Sequence, residues 1–120
     1  MNYSKKYITA LFEEINIDLF NDTLKKPGLF VFDDKLMQRI NFALGWNVNE
    51  AWDGICIPTE KTYLVGVADH LTETLFFDTL VHELIHVYLY EKYPRYNGGH
   101  GKRFLKICEK AVDIYYPNLV

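Results

Sequence analysis

Cysteine is scarce in this chain. Cys56 and Cys108 are the only two in 120 residues, far apart and in no Cys-x-x-Cys pair, so neither a disulfide framework nor a cysteine-built zinc ribbon is available. Cys56 lies in the apolar run Ile55-Cys56-Ile57 and Cys108 on the apolar side of a helical stretch, so both read as buried thiols of a reducing cytoplasm. Long apolar runs are missing as well. No stretch approaches the ~20 residues of a membrane span, and Met1-Asn2-Tyr3-Ser4-Lys5-Lys6 leads into an amphipathic pattern rather than a signal-peptide core. The expectation is a cytoplasmic protein with no membrane partner. Repeats, linkers and low-complexity tracts are absent, and 49% hydrophobic with 16% aromatic residues excludes disorder, so residues 1–120 read as one domain.

Neither sign of charge dominates, with 13 Lys and Arg against 16 Asp and Glu. The net value of −3 argues against indiscriminate nucleic-acid binding, but the distribution is uneven. From Lys92 to Lys110, six basic residues (Lys92, Arg95, Lys102, Arg103, Lys106, Lys110) stand against Glu109 alone, which makes that segment +5 and the remainder −8. A positive surface is expected there, with DNA or an acidic substrate as the partner class.

What is present is His82-Glu83-Leu84-Ile85-His86 inside a strongly helical stretch. Histidines four apart stand one turn apart on one helix face, so both imidazoles can reach a single metal ion, with the intervening glutamate placed to act on its water. Over a helix from Thr72 or Thr74 to Tyr93, the residues Phe77, Leu80, Val81, Leu84, Ile85 and Tyr88 form a broad apolar arc. Thr79, His82, Glu83, His86 and Tyr90 gather on the remaining stripe, which on so apolar a helix faces a cleft rather than open water. The pairing is the working centre of zinc peptidases, so metal-assisted hydrolysis with Zn2+ and Glu83 as base is the expected chemistry.

A catalytic zinc takes a third protein ligand. The metzincin spacing needs a glycine and a histidine where Leu89 and Lys92 stand. Glu109, with Asp113 four residues on, imitates a thermolysin-type third ligand, but it shares the polar face of the last helix with Lys106 and Lys110, which can pair with the two acids. The buried face of that helix is read as Phe104, Leu105, Ile107, Cys108, Ala111, Val112, Ile114 and Tyr115. His100 is the better choice, because Gly98-Gly99-His100-Gly101 lets the backbone turn sharply enough to return the imidazole to the metal. His70, at the end of an apolar strand, has no such support and reads as structural or exposed. Asp78, one turn before His82, either orients a ligand imidazole or is a surface charge.

The elements follow from periodicity. A first helix runs from Ser4 to Leu24 and stops at Lys26-Pro27-Gly28, and Leu29 to Phe32 is a short strand. Ile40, Phe42, Leu44 and Trp46 alternate with Arg39, Asn41, Ala43 and Gly45, the pattern of a half-buried strand. Asp53-Gly54 is a turn, followed by strands Ile55–Thr59 and Tyr63–Ala68, the metal-site helix, and a last helix ended by Pro117. This order predicts an α+β domain with a small, mainly antiparallel sheet packed on an N-terminal helix, the His-Glu-x-x-His helix and a C-terminal helix.

The chain resembles a SprT-like metallopeptidase domain, the family that includes the Spartan proteases, in a minimal single-domain form. The resemblance rests on Thr79-Leu80-Val81-His82-Glu83-Leu84-Ile85-His86 with Gly99-His100-Gly101-Lys102-Arg103-Phe104. Leu19-Phe20-Asn21 with Leu24 and Pro27 is similar to another family segment, and Ala43-Leu44-Gly45 to its first sheet segment. It implies a zincin-like fold, a zinc site of His82, His86 and His100, Glu83 as catalytic base, and proteolysis, in the best-known relatives of DNA-associated proteins. A protein or peptide substrate is therefore expected, with DNA engaged through Lys92–Lys110 and a monomer assumed. By analogy with zincins, the strand ending at Ala68-Asp69 would hold the substrate extended. Tyr96, Tyr90 and Arg103 are candidate oxyanion donors. Two rivals are a non-catalytic zinc-stabilised binding module and a zinc hydrolase acting on something other than protein.

Overall fold

Ile8, Phe12, Ile15, Leu19 and Phe20 recur at helical spacing and all are buried, so α1 (Lys5–Phe20) presents one apolar stripe to the core. Ser4 caps it, its hydroxyl accepting from the Tyr7 N–H. The helix stops four residues before the expected Leu24, because Asn21 (φ 54°) and Asp22 (φ 60°) turn the chain left-handed. The buried Asn16 side chain then holds Leu24 at both its N–H and its carbonyl, each at 3.0 Å. The computed structural model describes residues 3–119; Met1, Asn2 and Val120, the ends of the expected 1–120 span, lie outside them.

After β1 (Gly28–Phe32) the structure departs from the sequence reading. The alternating stretch at Ile40 to Trp46 is not a strand. Asp33 caps a helix, α2 (Asp34–Ala43), by accepting from the Leu36 N–H at 2.8 Å. The alternation misleads because its polar member is the buried one. Asn41, fully buried, accepts from Trp52 Nε1 at 2.9 Å and donates to the Glu50 carbonyl at 2.9 Å, whereas Phe42 is 78% exposed. The Ala43-Leu44-Gly45 segment that resembles a sheet element is the end of this helix.

With that strand gone the sheet has three members in the order β1-β3-β2, where β2 is Gly54–Pro58 and β3 is Tyr63–Ala68. β1 runs parallel to β3 and β2 antiparallel to it, so the sheet is mixed rather than mainly antiparallel. β3 is paired on both sides, so the strand ending at Ala68-Asp69 has no free edge to offer a substrate. β1 and β2 are the edge strands, and β2 lies beside the long helix α3 (Glu73–Lys92).

α3 is capped by Thr72, and its middle turns are buried on every side, including Leu80, Leu84, Ile85 and Val87. α4 (Lys102–Tyr115) is a surface helix that buries Phe104 and Ala111 in the same hydrophobic core as α1, α3 and the sheet. Its apolar stripe is narrower than expected. Leu105 (55% exposed) and Ile114 (39%) face outward, since they fall beside rather than on the line through Phe104, Ile107 and Ala111. Pairing of Lys106 and Lys110 with Glu109 and Asp113 does not occur; Lys110 donates instead to the Leu19 carbonyl at the end of α1, at 3.1 Å. Both cysteines are half-buried rather than buried. Among the described residues no helix is long and apolar enough to cross a membrane.

Candidate active site

Four-residue spacing on α3 puts His82 and His86 on one face, and the loop between α3 and α4 returns His100 to them. The three Nε2 atoms form a near-equilateral triangle: His82 to His86 3.3 Å, His100 to His82 3.2 Å and His100 to His86 3.2 Å. Three nitrogens sharing one hydrogen-bonded edge each would leave lone pairs facing one another. A metal ion held by all three would fit this spacing, since nitrogens each about 2.0–2.1 Å from a tetrahedral centre stand about 3.3 Å apart. These three are the group among the described residues whose ligand atoms converge in this way.

Phe104, on the first turn of α4, supports the triangle. Its ring centroid lies 4.9 Å from those of His82 and His86 and 4.6 Å from that of His100. At 3% exposure its side chain contributes on the order of 2 kcal/mol of burial, and α4 thereby fixes the distance of His100 from α3. The Gly-x-x-Phe spacing after His100 is explained by this contact. On the far side of His86, Nδ1 meets the Tyr96 hydroxyl at 2.6 Å, and that hydroxyl meets the Gly99 carbonyl at 2.7 Å.

Burial sets the protonation of the site. His86 is pushed down to about 4 by desolvation and then by His82 and His100, and His82 is lowered by desolvation and then by His100. Neutral imidazoles with free lone pairs are the form that binds a metal. Glu83, 8% exposed, is pushed up to about 7 by burial alone.

The cleft over this cluster encloses about 270 Å3. Its floor is His82, Glu83 and His86, its walls Gly54, Ile55 and Cys56 of β2 on one side and Gly98 with Tyr90 on the other. Two glycines set its width. A Cβ on Gly54 would stand 2.5 Å from Thr79 Cγ2 and 2.8 Å from Glu83 Oε2, so only glycine lets the edge strand approach α3 there. Gly98, at φ +89°, would place a Cβ 2.7 Å from the Tyr90 hydroxyl.

The remaining candidates separate. His70 sits in the turn after β3, 3.6 Å from Asp53 and exposed with it. Glu109 and Asp113 lie on the outer face of α4, apart from the histidines. Asp78 accepts a hydrogen bond from Tyr116 and so ties α3 to the chain after α4 rather than orienting an imidazole. Arg103 folds over the Tyr93 ring at 3.8 Å. Tyr96 is occupied behind His86, which leaves Tyr90 as the candidate donor that lines the cleft. The place of Cys56 in the cleft wall and the edge role of β2 have no signal in the sequence. Only Asp53-Gly54 signalled that the chain turns there.

A family model described as SprT-like matches residues 8–118. No curated protein and no solved structure gives a significant match.

Proposed function

The chain belongs to the SprT-like family, and on that premise we propose that it is a zinc-dependent endopeptidase whose metal is held by His82, His86 and His100, with Glu83 as general base. The observation that carries this is the convergence of three Nε2 atoms at 3.2–3.3 Å beside a buried carboxylate in one open cleft. Three imidazoles are the donor set of a catalytic zinc, whereas a structural site closes with a fourth protein ligand. Cys56, Cys108 and His70 all lie outside the cluster.

Zinc bound there supplies Lewis acidity that activates a water and polarises the scissile carbonyl. Glu83 takes the proton from the attacking water and passes it to the leaving amine. A carboxyl pushed up to about 7 by burial is matched to both transfers near neutral pH. Tyr90 donates from the cleft wall to the developing oxyanion; burial first, and then Cys56, raise its pKa, which keeps the hydroxyl protonated.

The substrate chain pairs with the free edge of β2. Ala68 donates to the Asp53 carbonyl and Thr59 to the Thr62 carbonyl, so the odd-numbered residues from 53 to 59 spend their backbone groups on β3. Gly54 and Cys56 therefore turn their N–H and C=O outward, and Pro58, with no N–H, ends the donor row. The free backbone groups of Gly54 and Cys56 thus border the cleft that Glu83 lines, the place for an extended substrate to pair.

The test is digestion of casein and of a DNA-binding protein by zinc-loaded wild type and Glu83→Gln, with and without single-stranded DNA. Cutting by wild type alone, with zinc retained by the variant, is expected. Loss of zinc from Glu83→Gln, or no cutting by fully loaded wild type, would remove the hydrolytic reading.

A further inference from the structure

Four of the six basic residues of the Lys92–Lys110 segment gather in one place, while Arg95 and Lys102 line a separate depression. Lys92 from the end of α3 and Arg103, Lys106 and Lys110 from α4 converge on one groove of about 400 Å3, away from the histidine cleft. Its floor is apolar, formed by Phe20, Leu89 and Ile107 where α1, α3 and α4 meet. No acidic residue lines it. Among the described residues no lysine or arginine forms an ion pair with a carboxylate, so all four rim charges are uncompensated.

Three of the four cations are held in place by neutral neighbours. Lys92 Nζ donates to the Tyr88 hydroxyl at 2.8 Å, Lys110 Nζ to the Leu19 carbonyl at 3.1 Å, and the Arg103 guanidinium lies over the Tyr93 ring. A chain of net charge −3 that gathers four unpaired cations around an apolar floor is built to meet anionic groups flanking an apolar one. We propose that this groove docks an acidic segment of a partner protein, seating a large apolar side chain on the floor and setting carboxylates against the rim.

DNA is the other anionic partner the sequence suggests, and the aromatic rings argue against it here. Single-stranded nucleic acid binds by stacking bases on free ring faces. The Tyr88 ring is stacked on Phe20 at 5.2 Å with the Lys92 ammonium at its hydroxyl edge, and Tyr93 carries Arg103 on one face at 3.8 Å. The floor accepts an aliphatic or aromatic side chain, and each ring already has one face engaged within the protein, which leaves neither free on both sides to intercalate between bases. The proposal is independent of the peptidase reading, because docking is measured without turnover.

The experiment is fluorescence anisotropy with zinc-loaded full-length protein. The probe is a short labelled peptide in which phenylalanine and leucine are flanked by glutamates. Two controls replace the apolar pair by serine or the glutamates by glutamine, and oligothymidylate is the competitor. Saturable binding that weakens with salt, falls about tenfold or more in Lys106→Glu/Lys110→Glu, and is lost in both control peptides is expected. Both lysines are exposed, and circular dichroism of the variant checks that it keeps the wild-type fold. A second variant, Ile107→Glu, tests the floor and should also lose the peptide. Equal binding of the serine control, tighter binding of oligothymidylate through the same lysines, or no peptide binding would each overturn the proposal.

Discussion

The Tyr96 hydroxyl stands 2.6 Å from Nδ1 of His86 and 2.7 Å from the Gly99 carbonyl. A phenol has one proton, and the carbonyl can only accept, so that proton goes to Gly99 and the oxygen accepts from Nδ1–H of His86. The proton of His86 is thereby fixed on Nδ1, and its Nε2 lone pair is left facing His82 and His100. The same hydroxyl also ties the loop carrying His100 to the helix carrying His86. Tyr96→Phe keeps the ring and removes this bond, so zinc affinity should fall about 10–100-fold. Competition with a chromogenic chelator reads it directly. An unchanged affinity would mean that packing by Phe104 alone orients the imidazole.

Tyr90 should behave differently from Tyr96 although the two rings are in edge contact at 4.9 Å. Its hydroxyl has no hydrogen-bond partner among the described residues, while its ring is stacked on Tyr63 at 5.8 Å. Tyr90→Phe therefore leaves the metal in place and removes only a transition-state donor. The expected result is a fall in kcat of about 100-fold with KM and zinc content nearly unchanged. A rise in KM alone would instead make Tyr90 a substrate contact.

Local patterns were readable and distant ones were not. The spacing of His82, Glu83 and His86 is a property of one helix, and the capped span Glu73–Lys92 agrees with the sequence reading within about a residue. The return of His100 was also legible, since glycines on both sides mark a sharp turn. The segment from Ile40 to Trp46 has the period-2 alternation of a strand and yet lies largely in the helix that Asp33 caps. What decides it is Asn41 gripping Glu50 and Trp52, a contact set by the fold rather than the local pattern. The substrate-facing edge failed for a related reason. Nothing in β2 or β3 alone says which of them is central.

Gly98 offers a test of how the His100 loop is keyed to the cleft. Its φ of +89° is costly for any side chain, and the Cβ would meet the Tyr90 hydroxyl at 2.7 Å. Gly98→Ala should cost about 1–2 kcal/mol and lower the Tm by several degrees, with zinc affinity falling because His100 is displaced. Gly101→Ala is the control: it has ordinary extended backbone and nothing within 4 Å of its Cβ, so it should lose only the about 0.5 kcal/mol of an alanine N-cap on α4 and keep its zinc affinity. Thermal melts of both variants with and without zinc decide the matter. Equal losses at the two positions would rule out the Tyr90 contact as the cause.

Cys56 provides a reporter of the cleft that does not depend on turnover. Burial, and then the Glu83 carboxylate, push its thiol up to about 12. Both causes disfavour the thiolate, the reactive form, so alkylation by iodoacetamide should be negligible near pH 7 and rise only at strongly alkaline pH. The sign for stability follows. A folded-state value above the unfolded one contributes stability below the ordinary thiol range, and that contribution is lost as pH climbs toward 12. Glu83→Gln removes the second cause, so Cys56 should titrate lower and react faster in the variant than in wild type at the same alkaline pH. Mass spectrometry of quenched time points, with the denatured chain as reference, measures both rates. Rapid labelling of folded wild type at neutral pH would show that β2 does not lie as close to α3 as Gly54 permits.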